Sequence, residues 1–133
     1  MSEHTKLNPE ALPRPTGYTH GIVAQGGRLL FVAGQIGCGK DGIVVPGGLV
    51  AQFDKAVENI LMVVRAAGGA PESITRMTIY TSDMAGYRAG LAELGSVWRP
   101  RMGKHYPVMA VLEVKSLFDP GAVVEIEATA VLP

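Results

Sequence analysis

Net charge is the most conspicuous absence in this 133-residue chain, whose twelve Lys and Arg residues are cancelled by twelve Asp and Glu. No global field draws in nucleic acid or an anionic membrane surface, so RNA binding would need a local basic patch. Nucleic acid is therefore not expected as a partner. Cysteine is nearly missing too: Cys38 is alone, cannot close an intramolecular disulfide, and fits a reducing compartment. Its neighbours Gly37 and Gly39 supply no charge to activate the thiol. Three scattered histidines and this one cysteine give none of the close ligand spacings of zinc sites. No Gly-x-Gly-x-x-Gly run follows a strand, and no phosphate-loop motif is present, so no cofactor is expected. The apolar runs fall far short of the ~20 residues that a membrane-spanning helix needs. The start Ser2-Glu3-His4-Thr5-Lys6 lacks the apolar core of a signal peptide. The expectation is one cytoplasmic domain over residues 1–133, without a membrane partner.

The segments present are well patterned. Pro9, Pro13 and Pro15 predict an extended arm over residues 1–17. A hairpin is expected next, with strands near Thr19 to Ala24 and Arg28 to Gly34 joined at Gly26-Gly27, then a glycine-rich loop from Gly34 to Gly48. Leu49, Phe53, Ala56, Val57, Ile60, Leu61 and Val64 make one helical stripe, with a stop at Gly68-Gly69 and Pro71 beyond. A third strand spans Ile74 to Thr81. Asp83 is placed to cap a second helix with the stripe Tyr87, Leu91, Leu94 and Trp98, ended by Pro100.

Two strands close the chain. The first, Tyr106-Pro107-Val108-Met109-Ala110-Val111-Leu112-Glu113-Val114, is apolar on both sides. The second, from Val123 to Val131, alternates with period two, Glu125, Glu127 and Thr129 on one face and Val124, Ile126, Ala128 and Ala130 on the other. The order is ββαβαββ, an α+β fold with a mixed sheet. Right-handed crossovers put both helices on one face. The uncovered face with a doubly apolar strand predicts self-association.

These last strands resemble the C-terminal signature of the RidA (YjgF-type, reactive intermediate deaminase) family, a strand opening Pro-x-Arg followed by one reading x-Glu-Ile-Glu-Ala. The proline is Pro107, the glutamates are Glu125 and Glu127, and Met109 stands where the family has arginine. Similar matches are Tyr18 with His20-Gly21, Val32-Ala33-Gly34-Gln35-Ile36, Glu58-Asn59-Ile60 and Ala66-Ala67-Gly68, so the resemblance covers nearly everything from Tyr18 onward. It implies a chorismate-mutase-like subunit in a homotrimer with ligand clefts between neighbours. It also implies deaminase chemistry, the hydrolysis of an imine or enamine to a carbonyl compound and ammonia.

The resemblance makes Glu125 the catalytic group that handles water, with Tyr18 covering the ligand and Gly34 leaving backbone amides free for it. Methionine at 109 offers packing and a weak sulfur acceptor, not the planar fork that holds a carboxylate. A ligand other than the usual 2-imino acids is therefore expected, unless another cation takes over. Arg101, Lys104 and His105, in the basic segment before the Pro107 strand, are the candidates for that replacement. His20 lies beside Tyr18 at the start of the first strand, and one histidine without a partner is more often structural. The alternative functions are a non-catalytic ligand-binding or sensor module of the same fold and, ranked last, a ribonuclease or translation inhibitor.

Overall fold

The computed structural model describes residues 4–133. Ten short and long elements follow one another: strands β1 (Thr5–Leu7), β2 (Gly21–Val23) and β3 (Arg28–Ile36), helix α1 (Leu49–Ala66), a single 3₁₀ turn (Pro71–Ser73), strand β4 (Ile74–Thr81), helices α2 (Met84–Ala89) and α3 (Leu91–Met102), and strands β5 (Val108–Glu113) and β6 (Val124–Leu132). From β2 onward this is the expected ββαβαββ order in an α+β fold, with β1 added in front.

The main sheet has the order β3-β6-β4-β5. β6 is antiparallel to both β3 and β4, whereas β5 runs parallel to β4, so the sheet is mixed. Parallel β3, β4 and β5 require crossovers, and the helices supply them on one face. The stripe on α1 buries Phe53, Ala56, Val57, Ile60, Leu61 and Val64 against Val32, Met77, Ile79, Val124, Ile126 and Ala128. Each fully buried side chain of this size contributes about 1.5–3 kcal/mol of transfer free energy. Gly68 ends the helix in the left-handed region, φ +86°, which costs a glycine nothing.

The second helical segment departs from the expected single stripe. Asp83 caps α2, its Oδ1 accepting from Gly86 N–H at 2.9 Å, but the axis breaks at Gly90. Leu91 is left 59% exposed while Leu94, Trp98 and Met102 are buried. Nor does Pro100 end the helix, which runs on to Met102. Pro100 and Ser96 both lie on the exposed side, where solvent serves the Ser96 carbonyl that loses its intrahelical donor.

The expected hairpin does not form. β2 pairs with β1 (Thr5 opposite Val23, Leu7 opposite Gly21), and β3 pairs with β6. Gly26-Gly27 is a corner between two sheets, pinned by the Gly27 N–H on the Leu132 carbonyl at 3.1 Å. The proline-rich arm folds back through β1 instead of staying extended, and its first residues, 1–3, lie outside the described part of the chain. No helix among the described residues is long and apolar enough to cross a membrane.

Register assigns the faces. Met109 and Val111 stand opposite Met77 and Ile79 and share the helix side, whereas Val108, Ala110 and Leu112 share the open side with Arg76, Thr78 and Tyr80. That open side also carries Glu125, Glu127 and Thr129. It is not wholly polar: Leu29 and Phe31 on β3 are 65% and 73% exposed, and Leu112 on β5 is 46% exposed.

Candidate functional site

Two places on the open side carry chemistry, one at each end of the sheet. At the β3 end a bulge sets Ala33 and Gly34 opposite Glu127, the register slipping between Val32 and Gln35. The slip brings the Gly34 backbone against Glu125, and a Cβ at position 34 would overlap that carboxylate. Glycine leaves room there for the close approach of the carboxylate, and its φ is not positive. Buried amides hold the surrounding chain. Asn59 Nδ2 donates to the Ile36 and Cys38 carbonyls at 3.1 and 2.9 Å. Gln52 Nε2 donates to the Gly121 carbonyl at 3.2 Å, while its Oε1 accepts from the Val123 N–H at 2.9 Å. The glutamine thereby anchors the start of β6, two residues before Glu125.

Across β6, Tyr80 lies directly opposite Glu125. Loss of solvent, then the charge of Glu127 and hydrogen bonding to it, and last the charge of Glu125, raise the Tyr80 phenol above its ordinary 10.0. It is a protonated hydroxyl at neutral pH, beside a carboxylate able to accept a proton.

At the β5 end a cleft of about 420 Å³ is lined by Tyr18, Thr19, His20, Arg76, Met77, Thr78, Val108, Met109 and Ala110. Its wall is built by a relay of contacts that begins in α3. Trp98 stacks on Tyr106 with centroids 5.8 Å apart and donates through Nε1 to the His105 carbonyl at 3.2 Å. The fixed strand entry then accepts two bonds from Thr19: its N–H to the Pro107 carbonyl at 3.2 Å and its hydroxyl to the Tyr106 carbonyl at 2.5 Å. Tyr18 and His20 flank this anchor and meet edge to face at 5.1 Å. His20 is tied to the arm, its Nε2–H donating to the Pro13 carbonyl at 2.6 Å and its N–H to Asn8 Oδ1 at 2.8 Å.

Tyr18 and Met109 therefore meet at this cleft, while Gly34 and Glu125 meet at the other end. Met109 belongs to its floor and packs inward against the helix-side core. The basic segment is directed elsewhere. Arg101 Nε donates to Asp54 Oδ1 at 2.6 Å and its Nη2 to Glu58 Oε2 at 3.0 Å, binding α3 to α1. His105 is buried and donates from Nε2 to the Ile74 carbonyl at 2.7 Å. Burial pulls its pKa down, against the opposite effect of that bond. Lys104 is exposed after α3 and does not line the cleft.

The cation that does line it is Arg76, which the sequence reading passed over together with Tyr80. A signal was available: β4 alternates Arg76, Thr78 and Tyr80 against Met77, Ile79 and Thr81, with the latter three buried. Among the described residues no three or more His, Cys, Asp or Glu side chains are grouped as a metal ion would require.

An acceptor at Glu125 and a donor at Tyr80, opposite each other on neighbouring strands, are group types suited to the addition of water to a polarised carbon. An aromatic lip and a guanidinium over an apolar floor suit a small polar ligand. Glu125 on β6 stands directly opposite Tyr80 on β4, and the cleft is lined from the same face of β4 by Thr78 and Arg76, two and four residues along.

Comparison with known proteins locates the chain. The family model described as Endoribonuclease L-PSP matches residues 9–132. A RutC family protein of Pyrococcus horikoshii is 33% identical over 123 residues, which are 91% of this chain and 92% of that one. The 2-iminobutanoate/2-iminopropanoate deaminase of goat, Capra hircus, is 30% identical over 105 residues, 78% of this chain and 73% of that one. Among solved structures, the Rid-family protein YyfB of Yersinia pestis, itself described as of unknown function, superposes with a TM-score of 0.87 at 29% identity. The match covers 98% of this chain and all of that one, 100%.

Proposed function

Because the chain belongs to the Endoribonuclease L-PSP family, the RidA/YjgF group, we propose that it is a cytoplasmic homotrimer binding a small metabolite in clefts between subunits. We assign it hydrolysis of the ligand's imine or enamine form to a carbonyl compound and ammonia. The observation that carries this reading is the open sheet face: Gly34 and Glu125 lie on its β3–β6 half, Tyr18 and the cleft on its β4–β5 half, and exposed apolar side chains stand at both edges. A neighbour docking its β3 end onto the β5 end of the next would set a second copy's Gly34 and Glu125 against the cleft, and such a head-to-tail contact closes into a ring when the rotation allows. The exposed Leu29, Phe31 and Leu112 at those two ends supply apolar area for the contact.

In the completed site Glu125 takes a proton from water as the oxygen adds to the imine carbon and passes that proton to the nitrogen, giving the carbinolamine. The carbinolamine then collapses, Glu125 taking the hydroxyl proton and passing it to the amino group, which leaves as ammonia as the carbonyl forms. The Tyr80 phenol, held protonated, donates to the oxygen or nitrogen that carries charge in between. Tyr18 closes the cleft over the ligand. With Met109 in the place of the β5 arginine, the ligand differs from the 2-imino acids which that arginine would hold.

The same methionine favours a second reading, a trimer that binds its ligand without turning it over. A net charge of zero weighs against the ribonuclease reading. Light scattering should give three times the 14.0 kDa chain mass. Imines released by an amine oxidase should disappear faster than in buffer, measured against semicarbazide trapping, whereas the 2-imino acids released by an amino-acid oxidase should disappear little faster than in buffer. A monodisperse monomer overturns the shared site. A trimer without turnover of either imine class leaves the binding module.

A further inference from the structure

We propose that Arg76 selects an anionic ligand for the cleft, holding a carboxylate from the open side of β4. This inference rests on the cleft reading above and names the chemical class the cleft accepts. Arg76 is the one Lys or Arg side chain among the nine lining residues, and no Asp or Glu is among them. Its neighbours on the open side are apolar or neutral: Val108 and Thr129 stand opposite it on β5 and β6, with Thr78 and Ala110 next along. The ion pairs of the described residues are Lys55–Glu58, Arg101–Asp54 and Arg101–Glu58, so the exposed Arg76 guanidinium takes part in none.

The other polar groups of the cleft are partly committed. The Thr19 hydroxyl donates to the Tyr106 carbonyl, and His20 Nε2 is engaged with the Pro13 carbonyl. The Tyr18 and Thr78 hydroxyls complete a donor-rich wall, and the five N–H groups of a guanidinium match a carboxylate fork on two parallel bonds. Arg101 is paired with Asp54 and Glu58, His105 is bonded to the Ile74 carbonyl, and Lys104 does not line the cleft of its own chain. A charge at 76 also differs in position from one at 109: it lies on the adjacent strand, about 4.8 Å across the sheet, and faces the opposite side. The structural competitor is Glu127, one row along on β6 and paired with Thr78; a swing toward it would make Arg76 a stabilising residue only.

Titration calorimetry separates these roles, with 2-oxobutanoate and 4-oxopentanoate as probes of two carboxylate spacings and 2-oxobutanamide as the uncharged control. The wild-type trimer is expected to bind at least one acid ten-fold or more tightly than the amide. Arg76→Met should weaken that acid at least ten-fold and leave the amide unchanged, while Arg76→Lys restores part of the loss. Thermal melting of each variant shows that it is folded. Equal affinity of wild type and Arg76→Met for the acids overturns the proposal, as does a wild type that prefers the amide or binds neither acid at millimolar concentration. A lower melting temperature with unchanged affinity assigns Arg76 to Glu127 and overturns it equally. Failure of the hydrolytic reading looks different: acid binding that depends on Arg76, with no imine turned over, retains this inference and removes only the enzyme. Conversely, turnover of an uncharged imine by wild type and Arg76→Met alike, without acid binding, retains the enzyme and removes the anion anchor.

Discussion

Adding one methyl group at position 34 tests the geometry at Glu125 most directly. In Gly34→Ala the new Cβ would sit 2.9 Å from Cδ and 3.2 Å from Cγ of Glu125, and closer still to one carboxylate oxygen. The backbone itself accepts alanine, because φ at 34 is not positive. The conflict is with the end of one half-exposed side chain, which relieves it by leaving its rotamer at about 0.5–1.5 kcal/mol. Removing a glycine from the unfolded chain works the other way by about 0.4–1 kcal/mol. The two effects leave global stability within about 1 kcal/mol of wild type, a shift of at most ~5 °C in melting temperature for a domain of this size. In a Glu125→Ala background the overlap is gone, and the same substitution should stabilise by about 0.4–1 kcal/mol. The difference between backgrounds is the coupling, read from denaturation of the four proteins at one fixed concentration, since an oligomer's stability depends on it. Catalysis should respond far more than stability: moving the carboxylate by about 1 Å costs on the order of 10²-fold in kcat/KM for imine hydrolysis. Equal stability changes in both backgrounds, or wild-type turnover with alanine at 34, would refute the contact and its role.

Met109→Arg should raise activity on 2-imino acids roughly ten- to hundred-fold, since each charge-assisted hydrogen bond contributes about 1.5–3 kcal/mol and 1.4 kcal/mol is a decade. The guanidinium must reach around the free edge of β5 from a position packed against the core, so the melting temperature should fall; Glu125→Ala in that background should abolish the gain, and a folded trimer with no gain would show that the cleft has diverged beyond this residue. A pH effect follows from His105, whose imidazole burial holds below its ordinary 6.5. The unfolded chain takes the proton first, so the stabilisation is full above pH 6.5 and is lost as pH falls through the lower folded value. Melting curves across this range should show that decline in wild type and a flatter profile in His105→Gln; identical slopes would place the titrating group elsewhere.

Elements whose residues lie close together in the chain were legible from sequence. The stripe of α1, the β4 span Ile74–Thr81, the Asp83 cap and the alternation of β6 follow from local periodicity and local hydrogen bonding, and each appears at its expected place. Periodicity says which residues share a face, not which strand lies alongside. The Gly26-Gly27 hairpin failed for that reason: glycines permit a tight turn, but β3 gains its partner from β6, about a hundred residues away, and β2 from the proline-rich arm. Likewise the alternation of β5 separated Met109 from Val108, while only pairing with β4 showed that Met109 faces the helices. Arg101 and His105 are adjacent to the cleft strand in sequence, yet the carboxylates of α1 hold one and the Ile74 carbonyl holds the other. Arg76 lies more than thirty residues from Met109 along the chain and reaches the same cleft because β4 and β5 are parallel neighbours. Sequence alone therefore determined the elements, their inward faces and the family. The tertiary pairing decided which charges line the cleft, because strand order is set by burial summed over the whole sheet and leaves no local periodicity to read.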